Sequence, residues 1–131
     1  MTYRFSLLVI CFFAAFDGNA QEVFKTYYRN GNVKEVTHQG IFQGCGVPVD
    51  TDSIFYPNGQ IQKTIRYQHS LNSGNDCHSI ITREAIVTYY PNGSRKSLQF
   101  LEYCYECEPT PVGEWVWYDK SGKVLRRDKM H

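Results

Sequence analysis

Stretches of alternating apolar and polar residues recur along this chain, each behind a short segment of strand-forming residues. Residues 33–36 and 60–65 alternate with a period close to two, which is the period of a strand that buries one face. The segments ahead of the alternating stretches are rich in β-branched and aromatic residues, which favour strands. They are residues 23–26, 54–55, 86–88 and 115–117. The pattern predicts paired strands along most of the chain.

A repeated turn sequence separates the strands of each pair. Residues 27–31, 55–59 and 89–93 each consist of two aromatic residues, then Arg or Pro, then Asn-Gly, and residues 117–122 repeat this with one extra residue. Proline presets φ for the second turn position, and glycine accepts the left-handed conformation that follows a type I turn. This combination is a common three-residue hairpin loop. Each repeat therefore predicts a β-hairpin.

Hairpins of this kind must associate, because a single two-stranded hairpin is marginally stable in water. The sequence thus predicts an all-β fold, an antiparallel array of about four hairpins that forms one elongated twisted sheet. The first aromatic residue of each turn is expected to stack in the core from unit to unit. These residues are Tyr27, Phe55, Tyr89 and Trp117. The second aromatic residues then form a candidate binding surface, made of Tyr28, Tyr56, Tyr90 and Tyr118.

The third hairpin departs from the pattern after its turn. Arg95 stands where Val33, Ile61 and Val124 stand in the other units, and apolar residues resume only at Leu98. This predicts a bulge or a change of register at the start of that strand.

The repeated turn, together with Gly113-Glu114-Trp115 ahead of the last one, resembles the bacterial variant of the MORN repeat (membrane occupation and recognition nexus). The resemblance covers roughly residues 22–127, although the first three units lack the Gly-X-Trp segment. Members of this variant family are commonly labelled antitoxin-like, and MORN arrays act as scaffolds or interaction modules. The resemblance implies binding, with no catalytic residue and no cofactor.

The first twenty residues resemble a secretory signal peptide. Arg4 precedes an apolar stretch over residues 5–16, and small residues at 18–20 suit a cleavage site. Cys11 lacks the small preceding residue of a lipidation site. We expect a signal peptide at 1–20, a single repeat domain at 21–131, and a periplasmic or secreted protein.

Charge narrows the range of partners. The chain has 14 Lys and Arg against 13 Asp and Glu, a formal net charge of +1. This balance gives no attraction to nucleic acid, and no basic amphipathic helix supports membrane contact. A protein is the expected partner, and the oligomeric state stays open because an open sheet has edge strands that must be protected or paired.

Four cysteines remain after the predicted cleavage, and we place them in the loops that follow the first three hairpins. They are Cys45, Cys77, Cys104 and Cys107. An even number in an exported chain favours two disulfides, and neighbouring loops favour Cys45 with Cys77 and Cys104 with Cys107. A zinc site that includes His78 and a redox-active Cys-X-X-Cys are the alternatives.

Three functional hypotheses follow. The first is an exported, non-catalytic protein-binding module, for example an immunity or antitoxin-like inhibitor. The second is a structural envelope protein that contacts lipid or cell-wall components. The third, an enzyme, would need histidines and loop carboxylates to converge at one edge, but no motif spacing supports it. These residues are His38, His69, His78, His131, Asp50, Asp52 and Asp76.

Overall fold

A computed structural model describes residues 21–131, which form nine β-strands and one short 3₁₀ turn at Cys77–Ser79. The strands are β1 (Glu22–Tyr27), β2 (Val33–Phe42), β3 (Cys45–Pro48), β4 (Thr51–Phe55), β5 (Ile61–Leu71), β6 (Ile80–Tyr89), β7 (Arg95–Cys104), β8 (Thr110–Tyr118) and β9 (Val124–Lys129). All of them join one open antiparallel sheet in the order β1-β2-β4-β5-β6-β7-β8-β9, and β3 pairs with β2 beside this path. The predicted all-β hairpin array is confirmed.

The four repeated turns have the predicted chemistry. In the first, the Gly31 N–H donates to the Tyr28 carbonyl (3.0 Å), and the Tyr28 N–H donates to the Asn32 carbonyl (2.8 Å). The repeat glycines have φ between 89° and 91°, a left-handed conformation that favours glycine. The turn glycine in each repeat is therefore required by backbone geometry.

A register shift accompanies every turn, including the third. The shift lies at Thr26/Tyr27 in the first hairpin and at Thr88/Tyr89 in the third. Arg95 pairs with Tyr89 as Val33 pairs with Tyr27. The irregularity expected of the third hairpin alone is thus a feature of all four, because it belongs to the turn that they share.

Strand β3 was not expected from the sequence. Gln43 and Gly44 both have positive φ (51° and 76°) and join the paired residues Phe42 and Cys45, as in a two-residue type I′ hairpin. β3 occupies the edge of β2 near its end, so β4 pairs with β2 only at Glu35 and Val36. Cys45 therefore lies in a strand, and Cys104 is the last residue of β7, so the prediction of loops at these two positions was wrong.

The densest packing lies beyond the ends of the hairpins, opposite the repeated turns. Cys45, Val47 and Ile80 are almost fully buried. Their partly buried neighbours are Phe42, Val49, Cys77 and Tyr105. Ile86 and Val116 are buried separately within the sheet. The core is small, as expected for a single open sheet.

Candidate binding surfaces

The second aromatic residues of the first three turns connect neighbouring hairpins. The Tyr28 hydroxyl donates to the Phe55 carbonyl (2.6 Å), and the Tyr56 hydroxyl donates to the Tyr89 carbonyl (2.7 Å). The Tyr90 hydroxyl donates to a carbonyl of the fourth hairpin (2.7 Å). We call this series the tyrosine ladder. Because the hydroxyls of these tyrosines are hydrogen-bonded within the protein, only parts of their rings remain accessible to a partner.

The fourth repeat is aligned one residue differently from the sequence prediction. Its turn begins at Asp119, whose N–H donates to the Lys123 carbonyl (2.8 Å), so Tyr118 and not Trp117 corresponds to Tyr27. The Tyr118 carbonyl accepts the last ladder bond from Tyr90. Asp119 takes the place of a ladder tyrosine, and its carboxylate accepts the Lys123 N–H (3.0 Å). The prediction that Tyr118 is equivalent to Tyr28 was wrong, because the extra residue lies before the turn and shifts the alignment by one position.

None of the first aromatic residues is among the buried residues of the core, since Tyr27 is exposed and the other three, Phe55, Tyr89 and Trp117, are only partly buried. Tyr27 is 52% exposed, whereas Tyr28 is partly buried. A type I turn begins at Tyr28, so its backbone has already left the strand and its side chain reaches toward the next hairpin. Besides the strand pairing between neighbouring hairpins, the second aromatic residue of each of the first three turns links its hairpin to the next one.

The cysteines lie in two pairs at disulfide distance, Cys45 with Cys77 and Cys104 with Cys107. The Cα atoms of the first pair are 5.8 Å apart and those of the second are 5.1 Å apart. The first pair joins β3 to the 3₁₀ turn in the small core. Among residues 21–131, no three His, Cys, Asp or Glu side chains are placed to hold a metal ion.

The histidines considered for catalysis are held by local contacts. His69 Nε2 donates to the Pro48 carbonyl (2.6 Å), so its Nδ1 accepts from the Thr82 hydroxyl (2.9 Å). His38 Nδ1 lies 3.6 Å from Asp52.

The four other members of that set, Asp50, Asp76, His78 and His131, are at the surface. The His78 ring is edge-on to Tyr105, 6.1 Å between centroids. Asp76 accepts the Ser79 hydroxyl (2.8 Å), which lowers the pKa of Asp76. Asp76 thus caps the N-terminus of the 3₁₀ turn.

A row of alternating carboxylates and tyrosines crosses one face of the sheet from β4 to β7. The Tyr67 hydroxyl donates to Asp52 (2.7 Å), and the Tyr103 hydroxyl donates to Glu84 (3.0 Å). Burial, and then the hydrogen bond to Asp52, raises the pKa of Tyr67. Burial and the Glu84 charge raise that of Tyr103. These phenols remain protonated donors that orient the carboxylates.

Two tryptophans and an ion pair form a cluster at the end of that face. Trp117 is opposite Arg126 and Trp115 is opposite Asp128 across β8 and β9. The Arg126 guanidinium carbon lies 3.9 Å from the centroid of the Trp117 ring, and its Nε lies 3.2 Å from an Asp128 oxygen. The tryptophan ring centroids are 6.1 Å apart. We call these four residues the Trp-Arg cluster.

The sequence prediction missed this cluster. Trp115 and Trp117 are two positions apart on a strand and therefore share a face. This alternation, together with the charged residues 126–129 that follow the last turn, is the sequence signal for the cluster. Only the register of β9 places Arg126 over an indole.

The opposite face carries a shallow depression of about 260 Å³, lined by Arg66, Gln68, Arg83, Ala85 and Phe100. The Arg83 guanidinium lies 4.9 Å from the Phe100 ring centroid. The two arginines come from neighbouring strands, β5 and β6.

Gly113 explains the glycine of the Gly-X-Trp segment. Its φ is 70°, and a Cβ there would lie 3.3 Å from Phe100. Asp50 stands at the same distance from its turn and also has a left-handed φ, 60°. The carbonyls of both residues accept equivalent backbone bonds, from Met130 and Tyr67 respectively. The second hairpin therefore reproduces this bend without glycine, since aspartate tolerates it better than most residues.

The fold and these surfaces define an open, hairpin-repeat sheet with aromatic and charged surfaces. Residues 23–38, 53–69 and 111–128 match the family described as MORN repeat variant. These segments lie in the first, second and fourth hairpins. The third hairpin has the same turn and the same ladder contact. No curated protein sequence and no solved structure shows a significant match.

Within residues 21–131, no helix is long and apolar enough to cross a membrane. The predicted signal peptide at 1–20 lies outside the described residues.

Proposed function

We propose that this protein is an exported, non-catalytic module that binds another protein through the Trp-Arg cluster. MORN repeats are in general binding modules. The observation that carries the proposal is the exposed Arg126 side chain, held between Trp117 and Asp128. Trp, Tyr and Arg are the residue types most enriched at binding hot spots. A side chain that is already ordered loses less entropy when a partner binds.

Export is supported by the cysteines. Two pairs at disulfide distance are typical of oxidising compartments, and they agree with the predicted signal peptide. Inhibition of a toxin by an immunity or antitoxin-like protein would be one instance of such binding. Protection of cells that produce a genetically linked toxin would test that narrower proposal.

The chain contains a matched pair of variants for the binding test. Arg126 and Arg127 are adjacent on β9, their side chains are 60% and 58% exposed, and they point to opposite faces. Arg127 bonds Glu114 (2.6 Å) and does not contact the tryptophans. The two alanine variants therefore remove the same exposed charge from different faces.

The experiment is capture of envelope proteins from the native cell by the immobilised protein, followed by affinity measurement for any protein retained. Arg126→Ala and Trp117→Ala should each weaken binding by about tenfold or more, as expected for hot-spot residues. Arg127→Ala should retain the partner. Equal retention by the Arg126 and Arg127 variants, or capture of no protein, would contradict the proposal.

A further inference from the structure

The two edges of the sheet differ in how they are protected. β9 carries four charged residues, Arg126, Arg127, Asp128 and Lys129, and charges on an edge strand discourage pairing with another strand. β1 is exposed along its whole length and has only two charged residues, Glu22 and Lys25. Among residues 21–131 no strand pairs with the outer edge of β1, and apolar side chains are exposed beside that edge.

The hydrogen bonds of β2 identify which backbone groups of β1 point away from β2. The His38 N–H donates to Asp52 (2.8 Å) and its carbonyl accepts from Val49 (3.2 Å), so both groups point away from β1. Val23, opposite His38, must therefore point its own N–H and carbonyl outward. By alternation, Lys25 and Tyr27 do the same.

The tyrosine ladder shows that this edge lacks a contact made elsewhere in the array. Phe55, Tyr89 and Tyr118 each offer an outward carbonyl that accepts a tyrosine hydroxyl from the preceding hairpin. Tyr27 occupies the same position, and no donor reaches its carbonyl within residues 21–131. The outer edge of β1 is thus equivalent to the edge through which each of the other hairpins contacts the hairpin before it.

We propose that β1 pairs antiparallel with β1 of a second copy, which joins two sheets into one about a two-fold axis. One register places Phe24 opposite Phe24 of the partner subunit, in a pair where side chains approach closely. Val23 then lies opposite Lys25 of the partner subunit, and both contribute outward backbone groups. Glu22 lies opposite Thr26 of the partner subunit, so no like charges face each other.

The neighbouring registers are worse. Sliding by two residues in one direction places Lys25 opposite Lys25 of the partner subunit, which is repulsive. Sliding in the other direction places the charged Glu22 opposite Phe24 of the partner subunit. Pairing of β1 with β9 would be head-to-tail and would produce open chains, with Lys25 brought to a strand rich in cations. The register with Phe24 opposite Phe24 of the partner subunit buries this side chain, which is 50% exposed in the single chain.

The test is sedimentation velocity of the protein isolated after expression of the full-length chain, from low to high micromolar concentration. One strand pair is a small interface, so we expect a reversible dimer that dissociates on dilution. Lys25→Pro removes an outward N–H and no bond to β2, so the hairpin should persist. It should raise the dimer dissociation constant by about tenfold or more.

Phe24→Asp should also abolish the dimer, and Leu125→Asp on the other edge is its matched control, since Leu125 is 64% exposed. Phe24→Cys should form a covalent dimer under oxidation, whereas Val23→Cys should not. Circular dichroism would confirm that each variant is folded. A protein that stays monomeric throughout, or association that survives Lys25→Pro and is lost in Leu125→Asp, would overturn the proposal. A dimer without the Phe24→Cys cross-link would overturn the register.

Discussion

At the scale of single residues, the tyrosine ladder shows how a turn sequence becomes a contact between repeats. Each ladder tyrosine begins a type I turn, and its hydroxyl donates a hydrogen bond to a carbonyl of the next hairpin. The carbonyl points away from its own hairpin, so the tyrosine satisfies a group that strand pairing there leaves free. The aromatic pair in each of the first three repeats is thus divided between a strand end and a donor to the next repeat.

Tyr56→Phe should destabilise the protein, because it removes the hydroxyl that satisfies the Tyr89 carbonyl. The expected loss in the free energy of unfolding is about 0.5–1.5 kcal/mol, measured by urea denaturation. Tyr27→Phe is the control, since the Tyr27 hydroxyl has no hydrogen bond within residues 21–131 and the residue is half-exposed. It should change stability by less than about 0.5 kcal/mol. Equal effects of the two variants would contradict a structural role for the ladder.

The two carboxylate-bound tyrosines predict a loss of stability in alkali. Their pKa values are raised in the folded protein above the ordinary value of 10.0, so folding favours the neutral phenol. This stabilisation is complete below about pH 10 and is lost as pH rises through the folded-state values, because the unfolded chain releases the protons first. Urea denaturation across this range should show a falling midpoint. Tyr67→Phe should flatten the fall, and a Tyr27→Phe protein that behaves the same way would contradict the assignment.

At the scale of elements, the loop after the first hairpin decides how the repeats are joined. Strand β3 folds back on β2 and brings Cys45 and Val47 into the small core with Ile80. The Cys45 and Cys77 pair closes a segment with a sequence separation of 32, whereas Cys104 and Cys107 are 3 apart. The two pairs should therefore differ in their contribution to stability.

Replacing both Cys45 and Cys77 by serine should lower the free energy of unfolding by about 3–4 kcal/mol, against about 2 kcal/mol for Cys104 and Cys107. The cause is that a longer closed loop restricts the unfolded chain more strongly. Chemical denaturation of the two double variants measures the difference. Alkylation followed by mass spectrometry should find all four cysteines of the parent protein unreactive until a reductant is added. Cysteines that react after chelator treatment alone would support the zinc alternative instead.

At the scale of the whole molecule, stability should vary across the array. β6 is bonded along its length to both β5 and β7, whereas β1 is paired with β2 alone among the described strands and each of its residues is exposed. In a repeat sheet each unit is stabilised mainly by its neighbours, so an end unit can open alone.

Hydrogen exchange should therefore be fastest in β1 and slowest in β6. The measurement should be made at a concentration where sedimentation shows a monomer, and repeated where it shows a dimer. Protection of β1, and of no other strand, should rise with concentration. Uniform protection of all strands in the monomer would indicate a single cooperative unit and would contradict the prediction.

The sequence by itself determined the hairpins, because each turn depends on a few adjacent residues. Asn-Gly in the first three turns and Ser-Gly in the fourth favour a type I turn that ends in a left-handed glycine, and the alternating pattern favours strands. It also suggested which cysteines are neighbours, since consecutive repeats are adjacent in space.

Only the tertiary structure decided which side chains meet between strands that are distant in the chain. The register of β8 and β9 places Arg126 on Trp117. The alignment of the fourth turn makes Tyr118 equivalent to Tyr27, and β3 pairs with the part of β2 that β4 leaves unpaired. A shift of one residue in pairing reverses the face of every side chain, and local sequence does not fix that choice. The repeated turn thus came from the sequence, whereas the candidate binding surface came from the way the hairpins pair.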